Sequence, residues 1–407
     1  MADEIGTVAI LGGGTMGSGI GSCIAQKGRR VIVKEINDEC ARACERRVFG
    51  QVDRAVKTNT IPASIAEEVR KNFSATSSYD DIRGADMVIE AVIENMEEKK
   101  KVYREISPLF PEKVPFTTNS SSLSIDEMAS ATDRPDRFMG THFFNPAPVT
   151  ALVELVRGRQ TSDETYETAK RFMEVVLGKD TIPVKGCPGY LVNRNLMPNP
   201  NEAALLLTET KLTIRQIDAR ARKFGWPMGP FQLLDYVGID IAASVSNVLY
   251  EAYGERAKPA PILSRILELG RLGKKTGAGF YVAPDVKGFE DFQNIIDREY
   301  PDRREFDIEK AFERIMLGLY NEALLCLEEG IASPQNIDKG AVLGIMFPMS
   351  LEGPLHYIQE KYGFANLLAD LNRLYREYGE RYKPAAVLER IVAENGKIFE
   401  KAEEEEW

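Results

Sequence analysis

The sequence predicts an α/β domain built on a mainly parallel sheet, followed by two repeated all-α helical domains. Three observations carry that expectation. Short apolar strand patterns alternate with helical patterns over the first ~185 residues. Strand signals then almost vanish and helical periodicity takes over. Within the helical part the sequence repeats: Asn201-Glu202-Ala203 returns as Asn321-Glu322-Ala323, and Ile217-Asp218 returns at the same spacing as Ile337-Asp338.

The elements follow in order. Thr7 to Leu11 reads as a buried strand, followed by a glycine turn and a helix to about Lys27. Arg30 to Glu35 is a second strand, and Asn37 to Lys57 a long charged helix. Met87 to Ile93 reads as a strand, Glu97 to Leu109 as a helix and Pro115 to Asn119 as a strand. Phe138 to Phe144 and Thr150 to Arg157 are late strands. Gly186-Cys187-Pro188-Gly189 reads as a linker, and a second break is expected near Pro284 to Pro301, where charge and turn residues collect. The expected domains are therefore 1–185, 186–290 and 300–407. Gly229-Pro230 of the first helical copy has its counterpart in Gly353-Pro354, after a short insertion.

Composition narrows the class. A net charge of -10 argues against general nucleic-acid binding, so an anionic ligand would need a local basic pocket. No apolar run approaches the ~20 residues of a membrane span. A strand pattern begins almost at once, so no signal peptide is expected. The five cysteines (Cys23, Cys40, Cys44, Cys187, Cys326) show no framework spacing and suggest reduced thiols in a cytoplasmic protein. Cys40 and Cys44 are set to share a helix face, but neither histidine is close by in sequence, and no metal site is expected.

The glycine turn Gly12-Gly13-Gly14-Thr15-Met16-Gly17 follows an apolar strand and opens a helix, the context that a Rossmann-like dinucleotide site requires. Gly12 permits the tight turn, Gly14 lets a pyrophosphate approach the backbone, and Gly17 allows close helix–strand packing. Thr15 and Met16 begin the helix whose free N–H groups would face the phosphates. Glu35 ends the next strand, 21 residues past Gly14. A carboxylate there bonds ribose hydroxyls and repels a 2′-phosphate, which favours NAD over NADP. Lys34 and the Arg29-Arg30 pair leave that choice open, because a nearby cation would tolerate the phosphate.

His142, one of only two histidines, lies in Gly140-Thr141-His142-Phe143-Phe144-Asn145-Pro146, and Glu154 follows twelve residues later inside Leu-Val-Glu-Leu-Val. Histidine is the side chain suited to move a proton near pH 7. Buried and unpaired, Glu154 would be a costly charge; paired with His142 it becomes a base-orienting carboxylate. The other reading of Glu154 is a solvent-facing strand position. Asn119-Ser120-Ser121-Ser122 closes a strand, at the end where open α/β sheets bind ligands, although a serine turn is also common there.

Six further segments come in one order with the glycine turn: Glu90-Ala91-Val92-Ile93-Glu94-Asn95, Asn119-Ser120-Ser121-Ser122-Leu123, His142-Phe143-Phe144-Asn145-Pro146, Pro188-Gly189-Tyr190-Leu191-Val192-Asn193-Arg194, Pro227-Met228-Gly229-Pro230-Phe231 and Leu272-Gly273-Lys274-Lys275-Thr276-Gly277. Together they closely resemble L-3-hydroxyacyl-CoA dehydrogenases, over about residues 5 to 283. The repeat to about residue 395 resembles the doubled C-terminal domain in the dehydrogenase half of multifunctional fatty-acid β-oxidation enzymes, and the chain contains no enoyl-CoA hydratase-like region.

The resemblance implies NAD-dependent, reversible oxidation of (S)-3-hydroxyacyl-CoA to 3-oxoacyl-CoA. His142 would be the general base and Glu154 would stabilise its imidazolium. Ser121 and Asn193 would hydrogen-bond the substrate oxygen. Glu94, Lys99 and Asn145 would lie near the nicotinamide and its ribose, and Ala91 and Asn119 along the cofactor. Arg54, Lys57 and the Lys99-Lys100-Lys101 run are candidates for the CoA phosphates, against the plainer reading of a solvated helix face. Association with a separate enoyl-CoA hydratase is a further partner the resemblance suggests. Two other functions fit part of the pattern: an oxidoreductase for small 3-hydroxy acids, a class that uses lysine, and a non-catalytic NAD-binding scaffold.

Two departures carry expectations of their own. The family has a Tyr-Leu pair in the helix after Asn193, where this chain has Met197-Pro198-Asn199-Pro200-Asn201; Pro200 is the misfit, and Tyr320 stands at its place in the second copy. A proline inside a helix costs about 3 kcal/mol, so a kink or break is expected about two turns past Asn193. Nine residues before Glu202 stands Asn193, but nine before Glu322 stands Glu313. The second copy has lost the functional asparagine and is expected to be structural, with His356 structural or on the surface. Family members with a single helical domain pair through it; a second copy that imitates the partner would give a monomer, and otherwise a homodimer is expected.

Overall fold

The structure, a computed structural model, describes residues 5–400. The outer ends of the expected first and third domains, 1–4 and 401–407, lie outside the described residues. The chain divides at Tyr190–Leu191 into two compact units.

Among the described residues the first unit holds eight strands: β1 (Thr7–Leu11), β2 (Arg30–Lys34), β3 (Phe73–Thr76), β4 (Met87–Glu90), β5 (Phe116–Thr118), β6 (Phe138–Phe143), β7 (Leu152–Arg157) and β8 (Asp180–Lys185). They form one sheet in the order β3-β2-β1-β4-β5-β6-β7-β8, parallel throughout except for the antiparallel pair β6–β7. Its helices are α1 (Thr15–Ala25), α2 (Asp38–Lys57), α3 (Ala63–Asn72), α4 (Met96–Ile106), α5 (Ile125–Ala129) and α6 (Asp163–Arg171). Long apolar strands such as Val8-Ala9-Ile10-Leu11 are buried, as central parallel strands must be when covered on both faces. Asn37 caps α2 by accepting the Cys40 N–H at 2.8 Å, and Asp38 and Glu39 occupy its first turn.

The two outermost strands, β3 and β8, were not foreseen in the sequence. β3 is Phe-Ser-Ala-Thr, with one large apolar residue, and β8 contains Pro183. Both lie at sheet edges, where a strand can be short and a missing N–H costs little. The expected strand Met87 to Ile93 stops at Glu90, because the chain there bends so that the Glu90 carboxylate accepts the Val92 N–H.

The second unit is helical: α7 (Val192–Leu196), α8 (Pro198–Glu209), α9 (Ile214–Phe224), α10 (Pro230–Val237), α11 (Ile239–Tyr253), α12 (Pro261–Glu268), α13 (Phe292–Glu299), α14 (Ile308–Glu328), α15 (Pro334–Gly344), α16 (Pro354–Tyr357), α17 (Phe364–Tyr378) and α18 (Ala386–Glu394). Two expectations need correction. The helix after Asn193 is interrupted, but at Met197, and Asn199 is helical. Pro198 and Pro200 fall in the first turn of α8, where N–H groups have no intrahelical acceptor to lose, so Pro200 causes no kink. The stretch from Pro284 to Pro301 is no simple break: it contains α13, whose Phe292, Ile295 and Ile296 are buried in the same core as Leu206 and Phe231.

The repeat is visible atom by atom. Asn201 donates to the Lys258 carbonyl (2.9 Å) and accepts the Ala260 N–H (2.8 Å); Asn321 does the same with Lys383 (2.8 Å) and Ala385 (3.0 Å). Asp218 accepts the Phe231 and Gln232 N–H groups, and Asp338 those of Leu355 and His356. A Cβ on Gly229 or Gly353 would sit 2.3 Å from the matching aspartate, which explains why glycine stands at both places.

The copies also clasp each other reciprocally. Arg194 pairs with Glu322 (2.6 Å) and Glu329 (2.6 Å) of the second copy, while Arg314 pairs with Glu202 and Glu209 (3.0 Å) of the first. Tyr253 lies under Arg194, and Tyr378 under Arg314. Residue i touching j while the equivalent of j touches the equivalent of i is the contact pattern of a two-fold interface, here within one chain.

Candidate active site

The glycine turn has the shape its sequence implies. Gly12 has φ +90°, and a Cβ there would lie 2.8 Å from the Ala91 carbonyl oxygen; one on Gly17 would lie 1.9 Å from the Gly12 oxygen. Gly14 is open, with nothing within 4 Å of that position. It is the N-cap of α1, whose first turn carries no acidic residue and no side-chain cap. The uncapped amides and the cleared Gly14 fit a dinucleotide diphosphate. Thr15 is exposed and Met16 half-buried beside this opening. Gly17→Ala is expected to abolish measurable NADH binding by fluorescence titration, because the clash is with backbone and cannot relax locally.

Glu35 accepts the Gly13 N–H at 2.7 Å and the Ile36 N–H at 3.1 Å, which fixes its carboxylate at the mouth of the turn. Lys34 is turned away, donating to the Glu35 carbonyl (2.9 Å) with its ammonium 4.1 Å from the centre of the Tyr79 ring. Arg30 pairs with Thr7 while Lys34 pairs with Leu11, so the Arg29-Arg30 end of β2 lies at the opposite end of the strands from the turn. Arg47 of α2, which the sequence reading passed over, donates to the Gly13 carbonyl.

His142 and Glu154 are register partners across the antiparallel pair β6–β7, so both side chains stand on one face. His142 Nδ1 lies 2.6 Å from Glu154 Oε2, and Glu154 is fully buried, which excludes its solvent-facing reading. With Nδ1–H donated to the carboxylate, Nε2 is the nitrogen left to accept a proton. The imidazole is walled by Phe144 and Tyr190, at 4.5 and 5.9 Å between ring centres. Asn119 Oδ1 accepts the Phe143 N–H at 2.9 Å and ties the end of β5 to the strand carrying His142. Asn145 is exposed in the following loop, which the buried Lys179 pins by donating to the Ala147 and Thr150 carbonyls, each at 2.6 Å.

Glu94 accepts from the Ser120 hydroxyl (2.6 Å), the Ser121 N–H (2.9 Å) and, at longer reach, the Ser121 hydroxyl (3.4 Å). Lys99 bridges Glu90 (2.7 Å) and Glu94 (3.2 Å). Burial pushes the Glu94 carboxyl up, but Lys99 and the serine hydrogen bonds outweigh it and hold it below the usual range. Lys99 is therefore not a phosphate ligand, since its charge is spent on two carboxylates in the interior. Lys100 is paired with Glu97 and Glu127. Arg54, Lys57 and Lys101 are exposed. Asn193 belongs to the second unit, half-buried in the first turn of α7. The sequence reading gave no role to Glu90 or Lys179: Lys179 carried no local signal, whereas Glu90 stood as a charge inside the apolar run Met87 to Ile93, the pattern that singled out Glu154.

A glycine turn that fits a diphosphate, an acidic residue following β2 and a buried imidazole–carboxylate pair on the same sheet define the class of nicotinamide-dependent oxidoreductases. The chain belongs to the 3-hydroxyacyl-CoA dehydrogenase family: residues 7–187 match its NAD binding domain, and its C-terminal domain matches twice, at 189–283 and 311–405. Among curated relatives, the fatty acid oxidation complex subunit alpha of Acinetobacter baylyi is 36% identical over 412 residues, covering 98% of this chain and 56% of that protein. That of Shewanella amazonensis is 36% identical, covering 97% and 56%. The chain thus spans little more than half the length of these relatives. Among solved structures, 3-hydroxybutyryl-CoA dehydrogenase from Escherichia coli superposes with a TM-score of 0.85 at 27% identity, covering 96% of this chain and 99% of that one. The dehydrogenase part of multifunctional enzyme 1 from C. elegans gives 0.67 at 27% identity, covering 95% and 89%. Among the described residues no helix is long and apolar enough to cross a membrane.

Proposed function

We propose that this chain catalyses the reversible oxidation of (S)-3-hydroxyacyl-CoA to 3-oxoacyl-CoA. The observation that carries the reading is the 2.6 Å contact between His142 and the buried Glu154, in a chain with the family's NAD binding domain. In the oxidative direction His142 Nε2 takes the 3-hydroxyl proton, and Glu154 stabilises the imidazolium that results. NAD, when bound, supplies the acceptor for the hydride leaving C3. The Ser121 hydroxyl and the Asn193 amide hydrogen-bond the substrate oxygen as it becomes a carbonyl. Glu94, with Lys99 behind it, and Asn145 line the nicotinamide end, and Arg54 and Lys57 meet the CoA phosphates. The names of the curated relatives support a place in a fatty acid oxidation complex; a cytoplasmic location and association with an enoyl-CoA hydratase belong to the same proposal.

The test is direct. Purified protein with acetoacetyl-CoA and NADH should consume NADH in step with substrate. NADH binding without turnover of any 3-oxoacyl-CoA, short or long, would instead point to a scaffold. The reciprocal arginine–glutamate clasp supports a second reading, that the second copy occupies the place of a dimer partner. Light scattering is then expected to give the mass of one chain, and a dimer joined through α7 and α8 would contradict it.

A further inference from the structure

Glu90 ends β4, is completely buried, and accepts four hydrogen bonds. Oε1 takes the Val92 N–H and Lys99 Nζ, each at 2.7 Å; Oε2 takes the hydroxyls of Tyr103 (3.1 Å) and Thr118 (2.7 Å). Its counter-ion Lys99 is equally buried and reaches on to Glu94, which holds Ser120 and Ser121. An unbroken series of charged contacts thus runs from the sheet interior to the serine turn. Stability alone is a poor reason for it, since well-packed apolar residues usually hold a core as well as a buried ion pair does.

We propose that Glu90 is a positioning residue for the dehydrogenase reaction: it orients Lys99, Lys99 fixes Glu94, and Glu94 holds the turn that presents Ser121 to the substrate oxygen. This rests on the dehydrogenase reading given above. The groups facing Lys99 are Glu90 from β4 and Glu94 from the loop after it. Tyr103 and Tyr190 face those carboxylates, and burial pushes both phenols well above the ordinary range, so neither ionises near neutrality. Burial by itself pushes the Lys99 ammonium down, but the two carboxylates outweigh it and hold it above the usual lysine range. Glu90→Gln removes one of the two. Lys99 then loses its proton at lower pH, and Glu94 loses its partner with it.

The experiment measures kcat and KM for acetoacetyl-CoA, and separately the Kd for NADH, between about pH 6 and pH 10. It uses the native chain, Glu90→Gln and Glu90→Asp. At neutral pH, Glu90→Gln should lower kcat by about 10- to 100-fold with KM changed less than about threefold, since misplacing a group by ~1 Å costs that much. Its alkaline fall in both kcat and NADH affinity should begin about one pH unit or more below the native one. Glu90→Asp, which keeps the charge, should lower kcat but retain the native alkaline limb. Parallel profiles for Gln and native protein would overturn the proposal, as would a shifted limb in the Asp variant if Gln fails to fold. A native chain that turns over no acyl-CoA would sink the dehydrogenase reading instead, and the pH dependence of NADH binding would still report on Glu90.

Discussion

His142→Gln is expected to lower kcat for acetoacetyl-CoA reduction by about 10²–10⁴-fold while leaving the NADH Kd within about threefold of native. Glutamine is the informative replacement because its amide can still donate to Glu154. That carboxylate is fully buried, and removing its 2.6 Å partner outright would leave a desolvated charge and confound catalysis with folding. What glutamine lacks is a nitrogen able to bind and release a proton near neutral pH. The stopped-flow rate of NADH consumption separates the two roles: a slow chemical step with intact binding assigns proton transfer to His142. Near-native turnover would remove the imidazole from the mechanism and leave the 3-hydroxyl proton to another group.

The parts of this site that were legible in the sequence are those with a local rule. The glycine turn is one, because φ and close approach at Gly12 and Gly17 admit no other residue. The His142–Glu154 pair is another, because a charge inside an apolar strand demands a partner and strand alternation limits where it can stand. Glu90 was not legible. It stands inside the expected strand Met87 to Ile93, where a charge needs a partner, but only the fold reveals that Lys99, Tyr103 and Thr118 converge on it. Of the two readings of Lys99, the one that put it among candidates for the CoA phosphates fails on its burial: three successive lysines on a helix look solvated, yet the first faces inward. The clasp between the helical copies joins residues far apart in sequence, and no local pattern announces it. A signal did exist: Arg194 and Arg314, and Glu202 and Glu322, persist 120 residues apart, whereas the position of Asn193 is Glu313 in the second copy. Retention of the charges where the polar functional residue was lost marks them as a contact between the copies.

That contact yields the largest stability effect expected in the molecule. Arg314→Met should destabilise the second unit by up to about 3 kcal/mol, read as a lower urea midpoint, because it leaves the buried Glu202 with Arg381 (3.0 Å) as its remaining counter-ion. Burial works against the Arg314 charge, but the Glu202 and Glu209 carboxylates beside it hold the guanidinium protonated at any working pH, so the loss should not depend on pH in the neutral range. The two-fold relation supplies an internal control. Arg194→Met breaks the equivalent pair; Glu329 and Glu209 are alike at 35% and 32% exposed, but Glu322 is 13% exposed against 4% for Glu202, so water can compensate there and the loss should be smaller. Arg314→Met combined with Glu202→Gln should recover a good part of the stability, since the cost lies mainly in a buried carboxylate left short of positive charge rather than in the missing attraction. If the single and double variants unfold at the same urea concentration, the pair contributes no more than packing, and the clasp would no longer explain why the second copy keeps these charges after losing the asparagine.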